Sequence, residues 1–199
     1  MSAAPPDRLG EIVAVTSTSF TAQCYEKASI PAFGSFVRAQ ADGRDIIAIV
    51  AGITSGSIDP SRRVSARGEN EFDDDAIWRN NPELSALIRT EFRATIVGFL
   101  DDGIVQHQLP DRPPRLHAFV FGCDRETIAR FARRHDFLSV LLANGRDGSI
   151  DALVGAALRH AARASEDARA YLVGAGRVVA PSVEHDARRL AGILRVASS

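Results

Sequence analysis

The spacing of hydrophobic residues changes from helical to strand-like near the middle of the chain. Leu84, Leu87 and Ile88 are spaced to share one face of a helix. Asn81 can accept a hydrogen bond from the free amides of a first helical turn, and the proline that follows it needs no amide partner there. The pattern therefore predicts a helix around residues 82–90.

A strand period begins at residue 92, where apolar side chains start to alternate. One predicted face carries Phe92, Ala94 and Ile96, and the opposite face carries Arg93, Thr95, Val97 and Phe99. The Asp-Asp-Gly sequence at residues 101–103 predicts a hairpin turn. Residues 104–109 are expected to pair back on the strand.

Four strands are predicted before this point. Alternation and turn residues place them at residues 12–15, 20–25, 35–39 and 45–53. The fourth run contains Ile-Ile-Ala-Ile-Val-Ala-Gly-Ile and is apolar on both faces. This pattern is expected where a strand of a small barrel is also covered by a helix.

The rest of the pattern predicts an exposed loop, one more strand and several helices. Residues 54–71 are polar and rich in glycine, serine and arginine, which predicts a long loop that ends in a short helix at residues 76–78. A last strand is predicted at residues 116–121. Further helices are predicted at residues 124–134, 137–142, 150–158 and 190–196.

Together these elements predict an α+β chain. We expect a small closed antiparallel β-barrel with an inserted helix over residues 9–123, and a helical C-terminal region over residues 124–199. The loop at residues 144–148 is the clearest break within that region. Residues 171–175 and 177–180 are too short to assign.

The composition is that of an ordinary globular protein. Of the 199 residues, 45% are hydrophobic and 25% are charged, unlike the composition of disordered chains. The formal net charge is −1, whereas a protein that holds duplex DNA through phosphate contacts usually has a basic balance. The charge therefore leaves room for a local basic patch but disfavours a whole surface built for DNA.

The two cysteines and the N-terminal sequence bear on the cellular compartment. Cys24 and Cys123 stand in apolar, strand-like contexts without a second cysteine or a histidine nearby, which predicts reduced core thiols. The N-terminal residues contain no apolar segment of signal-peptide length, and no run is long enough to cross a bilayer. We expect a cytoplasmic protein that does not enter a membrane.

Two arginine clusters are the candidate contact residues. Arg62, Arg63 and Arg67 lie in the long polar loop, and Arg112 and Arg115 flank a run of prolines. A guanidinium can form two parallel hydrogen bonds with a phosphate or a carboxylate. Either cluster could therefore contact nucleic acid or an acidic protein surface, or simply be solvated.

The sequence offers no complete catalytic or metal-binding constellation. The histidines are His107, His117, His135, His160 and His185, and they lack the close spacing of metal ligands on one element. Carboxylates at residues 73–75 could bind a divalent ion, although such a run more often starts a helix or is solvated. Gly174 and Gly176 lack the third glycine of a nucleotide loop, so a turn is predicted there. We predict no catalytic residue, no metal site and no cofactor.

Four motifs, in order along the chain, together resemble one family. They lie at residues 18–24, 56–60, 81–84 with 89–92, and 109–117, and read Thr-Ser-Phe-Thr-Ala-Gln-Cys, Gly-Ser-Ile-Asp-Pro, Asn-Pro-Glu-Leu with Arg-Thr-Glu-Phe, and Leu-Pro-Asp-Arg-Pro-Pro-Arg-Leu-His. With them, residues 9–142 resemble the HAS-barrel domain. This small β-barrel stands at the N-terminus of HerA-type hexameric DNA-translocating ATPases and is similar to the N-terminal barrel of ATP synthase α and β subunits.

The resemblance implies a barrel that helps to build a ring and offers a docking surface, without catalysing a reaction. In HerA-type ATPases the docked partner is a NurA-type nuclease, which acts in DNA end processing. The chain departs from those ATPases at the phosphate-binding loop, Gly-x-x-x-x-Gly-Lys-Ser/Thr, which needs a lysine. The only lysine, Lys27, follows Tyr25-Glu26, with no glycine directly before it as the motif requires. No ATPase motor is therefore expected within these residues.

Three functional hypotheses follow. The first is a non-enzymatic HAS-barrel protein that assembles with itself, with a HerA-type ATPase or with a NurA-type nuclease, through barrel edges and the loop at residues 54–71. The second is a nucleic-acid-binding module that uses the arginine clusters. The third is an unrecognised hydrolase or metal-dependent nuclease that uses the carboxylates at residues 73–75.

Overall fold

The computed structural model describes residues 8–26, 28–59, 61, 63–144, 150–183 and 187–198. The strands are β1 (Arg8–Val15), β2 (Ser19–Cys24), β3 (Phe36–Ala41), β4 (Arg44–Ser57), β5 (Ile88–Asp101), β6 (Ile104–Gln106) and β7 (Phe119–Gly122). The helices are α1 (Asp74–Asn80), α2 (Leu84–Leu87), α3 (Arg125–Ala132), α4 (Phe137–Asn144), α5 (Ile150–Ala164), α6 (Ala168–Val179) and α7 (Ala187–Ser198), with a 3₁₀ turn at Ala180–Val183 between the last two.

Six of the strands close into a barrel. Their order around the ring is β2-β1-β7-β3-β4-β5, and β5 pairs with β2 to close it, while β6 pairs only with β5. Every neighbouring pair is antiparallel. The predicted α+β class and closed antiparallel barrel are confirmed. None of the described helices is long and apolar enough to span a membrane.

Strand β4 separates two hydrophobic cores. Its buried side chains alternate between the barrel interior and the helical layer outside it. Those inside the barrel are Ile46, Ala48 and Val50, and those packed against the helices are Ile47, Ile49 and Ala51. The predicted burial of this strand on both faces is confirmed.

A β-bulge in β5 changes which side chains enter the barrel. Ile47 pairs with Gly98 whereas Ala48 pairs with Ile96, so Val97 is an extra residue. Phe99 consequently lies in the barrel interior. The prediction that placed Phe99 opposite Phe92, Ala94 and Ile96 is wrong, because the bulge shifts the alternation by one residue.

Helices α3 to α7 form a layer that shares a hydrophobic core with the outer face of β3, β4 and β5. Phe36 of β3 meets two aromatic rings of the helical layer, with ring centroids 6.4 Å from Phe131 and 5.7 Å from Phe137, both edge to face. Helix α5 is the central element of this layer and contacts α3, α4, α6 and α7. The barrel wall and the helices therefore share one continuous core.

The helix predicted around residues 82–90 is much shorter. Asn81 does not cap it, because its backbone and side-chain amides donate to the Ile77 carbonyl at 3.0 and 2.9 Å and so close α1. Leu84 is buried but Leu87 is 41% exposed. Strand β5 already begins at Ile88, since its pairing with β4 takes up the backbone hydrogen bonds that a longer helix would need.

Other predicted boundaries also move. Strand β4 continues to residue 57, so the loop predicted at residues 54–71 begins later. The pairing predicted at residues 104–109 ends at residue 106, and the strand predicted at 116–121 covers 119–122. One reason is His117, whose φ of +63° interrupts an extended backbone. The predicted break at 144–148 lies outside the described residues except for Asn144, and the two-domain division stays a prediction.

The stretches left unassigned around residues 171–180 form one continuous helix, α6. Gly174 and Gly176 lie inside it, so the predicted turn is wrong. At Gly174 a Cβ atom would lie only 2.8 Å from Cε1 of the His135 ring. The glycine is therefore explained by the close packing of a histidine and not by a change of chain direction.

Gly34→Ala should destabilise the packing of α5 against the segment that leads into β3. Gly34 has φ +79°, and a Cβ there would lie 2.4 Å from the Cβ of Ala156 in α5. We expect a loss of roughly 2–5 kcal/mol in the free energy of unfolding, from overpacking and the left-handed backbone. Gly43→Ala is the matched control, since Gly43 has the same φ and nothing within 4 Å. It should cost about 1–2 kcal/mol in urea unfolding, and equal losses for both variants would contradict the packing of α5 described above.

Candidate docking surface

Strands β4 and β5 continue beyond the barrel as a two-stranded ladder. Their pairing runs from Thr54 with Glu91 to Ser57 with Ile88. A hydrogen bond of 2.7 Å between the hydroxyls of Ser55 and Thr90 ties the two strands at their exposed end. We name residues 53–90 the β4–β5 extension, which comprises this ladder, the loop that leaves it, α1 and α2.

Polar contacts fold the loop back on itself. The Nη1 atom of Arg67 donates to Oδ1 of Asn81 at 2.9 Å and to Oε1 of Glu83 at 2.5 Å. Nδ2 of Asn80 donates to both carboxylate oxygens of Glu71, at 2.9 and 3.0 Å. The loop is therefore linked both to the last residue of α1 and to the segment that joins α1 and α2.

The acidic run at residues 73–75 starts α1. Oδ1 of Asp73 accepts a hydrogen bond of 2.6 Å from the amide of Ala76, and Asp74 and Asp75 occupy the first turn. Carboxylates are favourable there because the helix dipole is positive at its N-terminus. The interpretation of this run as helix-start charge is confirmed. In the described part of the chain, no group of three or more histidine, cysteine, aspartate or glutamate residues could hold a metal ion.

Apolar side chains are exposed along the extension. Of the twelve large hydrophobic residues exposed in the described structure, six lie here: Ile53, Ile58, Val64, Phe72, Trp78 and Leu87. The Phe72 side chain is fully exposed, and Trp78 is 49% exposed. Trp78 also borders a cleft of about 250 Å³ that Tyr25 and Ile30 line as well. The extension is thus the part of the described surface richest in exposed apolar groups.

The family comparison explains the strand arrangement. A model of the HAS barrel domain matches residues 9–102. Residues 9–102 form a HAS barrel domain. The matched region covers almost all of β1 and the whole of β2 to β5, and it includes the β4–β5 extension. It ends before β7, which completes the ring, and before the helical layer. No curated protein matches the chain.

The proline-rich segment and the long loop are attached at opposite ends of β4. Arg44, at the start of β4, binds Asp111 at 3.4 Å, which fixes the proline-rich segment at that end of the strand. The loop leaves the far end of β4 at Ser57, roughly 40 Å away at the rise of an extended strand. Arg112, next to Asp111, therefore lies near the start of β4, whereas the loop that carries Arg63 and Arg67 leaves its end.

The individual arginines differ in their surroundings. Arg62 lies outside the described residues. Arg63 is exposed, and so are Arg112 and Arg115. None of these three forms an ion pair with a described residue, whereas Arg67 is held by Asn81 and Glu83. Arg67 therefore acts as a structural link of the loop.

The described histidines of the barrel and helices are satisfied structurally. Nε2 of His107 lies 2.9 Å from the Phe131 carbonyl, and Nε2 of His135 lies 3.0 Å from the Tyr171 carbonyl. Nδ1 of His117 lies 3.3 Å from Oε1 of Glu11. His160 bonds a backbone group of Phe33, and burial lowers its pKa. The structural interpretation is confirmed for these four, and His185 lies outside the described residues.

The two thiols are unpaired and partly or largely buried. Cys24 lies at the end of β2 and Cys123 follows β7. Burial raises the pKa of Cys123 to about 12 and also raises the pKa of Cys24. Both groups therefore stay protonated near neutral pH, as expected of core thiols without a reactive role.

Sequence reasoning identified the loop but not its apolar character. Phe72 stands between a polar loop and three aspartates, a place where a buried phenylalanine is unexpected. That context was a usable signal of exposure. The exposure of Ile53 and Leu87 had no such signal, because both belong to runs that alternate as core residues do.

Arg67→Ala tests whether Arg67 is committed to the loop. The pKa of Glu83 lies below its ordinary value, because its own backbone amide and then Arg67 donate hydrogen bonds to the carboxylate. In the variant this pKa should rise, yet stay lowered, since the amide remains. Above the ordinary carboxyl pKa, Glu83 is ionised and its contact with Arg67 is fully present. The contact is lost as the pH falls through the lowered pKa of Glu83 in the folded protein.

Carbon-detected NMR titration of the Glu83 carboxyl group provides the measurement. Arg63→Ala is the control, because the Arg63 side chain has no such partner in the described structure, and it should leave the Glu83 pKa unchanged. A Glu83 pKa that does not respond to Arg67→Ala would show that Arg67 is available for other contacts.

Proposed function

We propose that this HAS barrel is a non-enzymatic assembly and docking module that associates with itself, or with a HerA-type ATPase or a NurA-type nuclease, in DNA processing. The observation that carries the proposal is the concentration of exposed apolar side chains on the β4–β5 extension. Half of the large hydrophobic side chains exposed in the described structure belong to this one segment, and exposed hydrophobic patches often mark protein contacts.

The extension is suited to docking because its base is rigid. Ile53 and Leu87 border a ladder that continues the most buried strands of the barrel. The loop that carries Val64 and Phe72 is fastened through Arg67 and Glu71. A surface ordered before binding loses less conformational entropy when a partner covers it.

The class of partner comes from the domain family. HAS barrels of HerA-type ATPases take part in building the ring and in docking a nuclease, and the same two roles are available to a barrel whose extension is exposed. Burying apolar area contributes about 25 cal/mol per Å². A partner that covered several of the six exposed side chains would gain enough to offset part of the cost of association.

Ile58→Ser combined with Val64→Ser should weaken this association. Both side chains are exposed, so the variant should fold normally while losing apolar contact area. We expect binding at least about tenfold weaker, equivalent to about 1.4 kcal/mol. The measurement is light scattering after size exclusion, for the protein alone and mixed with a purified HerA-type ATPase or NurA-type nuclease.

Ile104→Ser is the control, because Ile104 is even more exposed than Ile58 and Val64 but lies on β6, outside the extension. It should leave the binding unchanged. A wild-type protein that stays monomeric and binds neither the ATPase nor the nuclease would contradict the proposed function.

A second candidate function is direct binding of nucleic acid. Exposed Arg112 and Arg115 favour it, since they stand on a rigid proline-rich segment without an ion pair to any described residue. Each phosphate contact contributes about 0.7–0.9 to the slope of log affinity against log salt concentration. The residues of such a site would therefore be revealed by the salt dependence of binding.

If this second function holds, Arg112→Ala with Arg115→Ala should reduce the magnitude of that slope by about 1–2. Fluorescence anisotropy of a labelled single-stranded oligonucleotide across a salt series gives the slope. Arg177→Ala with Arg195→Ala is the control, since these arginines are exposed on α6 and α7. Absence of salt-dependent binding, or an equal effect of the control, would exclude the second function.

A further inference from the structure

A surface groove lies between α5, α6 and α7. Its volume is about 460 Å³, and its lining is mostly apolar, with Leu172, Val173, Leu194 and Ala197 among the side chains that form it. Val173 is 53% exposed, as befits an open groove and not a closed cavity. Because the groove is open on one side, it can cover one face of a protein segment but does not enclose a small apolar ligand.

The charged residues that line this groove have one sign. Arg159, Arg163 and Arg169 line it, and no lining residue is acidic. Arg159 also approaches the Val196 carbonyl at 3.5 Å. The exposed Arg163 and Arg169 form no ion pair with a described residue. The groove therefore favours an occupant that combines apolar side chains with carboxylates.

The same chain carries such a segment. Residues 72–78 read Phe-Asp-Asp-Asp-Ala-Ile-Trp and run from the loop into α1. Phe72 is fully exposed, Trp78 is half exposed, and Asp74 and Asp75 are exposed in the first turn of α1. None of the groove-lining residues comes from the β4–β5 extension, so the segment does not fill the groove of its own copy.

We propose that residues 72–78 of one copy bind in the α5–α7 groove of a second copy. Phe72, the more exposed of the two aromatic side chains, fills the apolar floor, while the carboxylates of Asp74 and Asp75 meet Arg163 and Arg169. This inference rests on the self-association in the proposed function and names the two surfaces that make it. Aromatic anchors surrounded by complementary charge are typical of the side chains that dominate binding energy.

The contact joins two different surfaces, and each copy carries one of each. Such a heterologous contact can repeat from head to tail into a ring or a filament. Because its charged groups are at the surface, salt should weaken the association by screening. An isologous contact through the apolar ladder alone would show much less salt dependence.

The test is sedimentation velocity of the full chain across a concentration series at low and high salt. Arg163→Asp with Arg169→Asp makes the groove acidic, and Asp74→Arg with Asp75→Arg makes the segment basic. Each double variant alone should associate at least tenfold more weakly than the wild type. An equimolar mixture of the two should recover association, since the acidic groove of one variant fits the basic segment of the other.

Three further variants provide the controls. Phe72→Ala should weaken association without changing the thermal midpoint, because the Phe72 side chain is fully exposed. Arg177→Asp with Arg195→Asp changes the same number of charges on α6 and α7 outside the groove. Glu126→Arg reverses an acidic charge in the first turn of a different helix, α3, and so controls for the effect of such a reversal on a helix start. Neither charge control should alter association.

The outcomes separate this inference from the proposed function. Association that resists both charge reversals, or a mixture that fails to recover it, would overturn the docking of residues 72–78 and leave the proposed function standing. A monomeric wild type would overturn the inference. If that monomer also bound neither the ATPase nor the nuclease, the proposed function would fall as well.

Discussion

The burial of β4 and β5 on both faces is the constraint on which the rest of the structure depends. Inside the barrel they pack against the other four strands, and outside they support α3 to α7. Removing the helices would expose Ile47 and Ile49 to water, at a cost of about 25 cal/mol per Å². The helical layer therefore shares one hydrophobic core with the outer face of the barrel. Phe36 and its aromatic neighbours hold the two together.

This constraint also decides which surfaces remain available for partners. The helices cover the outer face of β3, β4 and β5, so contacts must use the β4–β5 extension, the remaining barrel wall or the far side of the helical layer. The extension grows directly from the most buried strands, which gives an exposed apolar surface a rigid base. The α5–α7 groove lies within the helical layer and uses no residue of the extension, so the two are separate surfaces that suit a repeating contact between copies.

Local rules predicted the elements whose pattern is complete within a few residues. The apolar run of β4 was predicted to be buried on both faces, as it is. Asp124 caps α3 as expected and accepts a hydrogen bond of 2.7 Å from the Thr127 amide. Phe99 was misplaced because a bulge depends on the pairing of two strands and leaves no mark on alternation. Asn81 was assigned to the wrong helix, since the same side chain can start one helix or close another. The site was predicted as a loop, but exposure of its apolar side chains is a property of the whole fold.

Native-state hydrogen exchange of the intact chain tests most directly whether the barrel and the helices share one core. If barrel and helices share one core, the most protected amides of β4 and α5 exchange through the same opening, with equal free energy and equal dependence on urea. Exchange of the α5 amides through a separate opening of lower free energy, while β4 stays protected, would contradict the account. The helical layer would then unfold independently of the barrel.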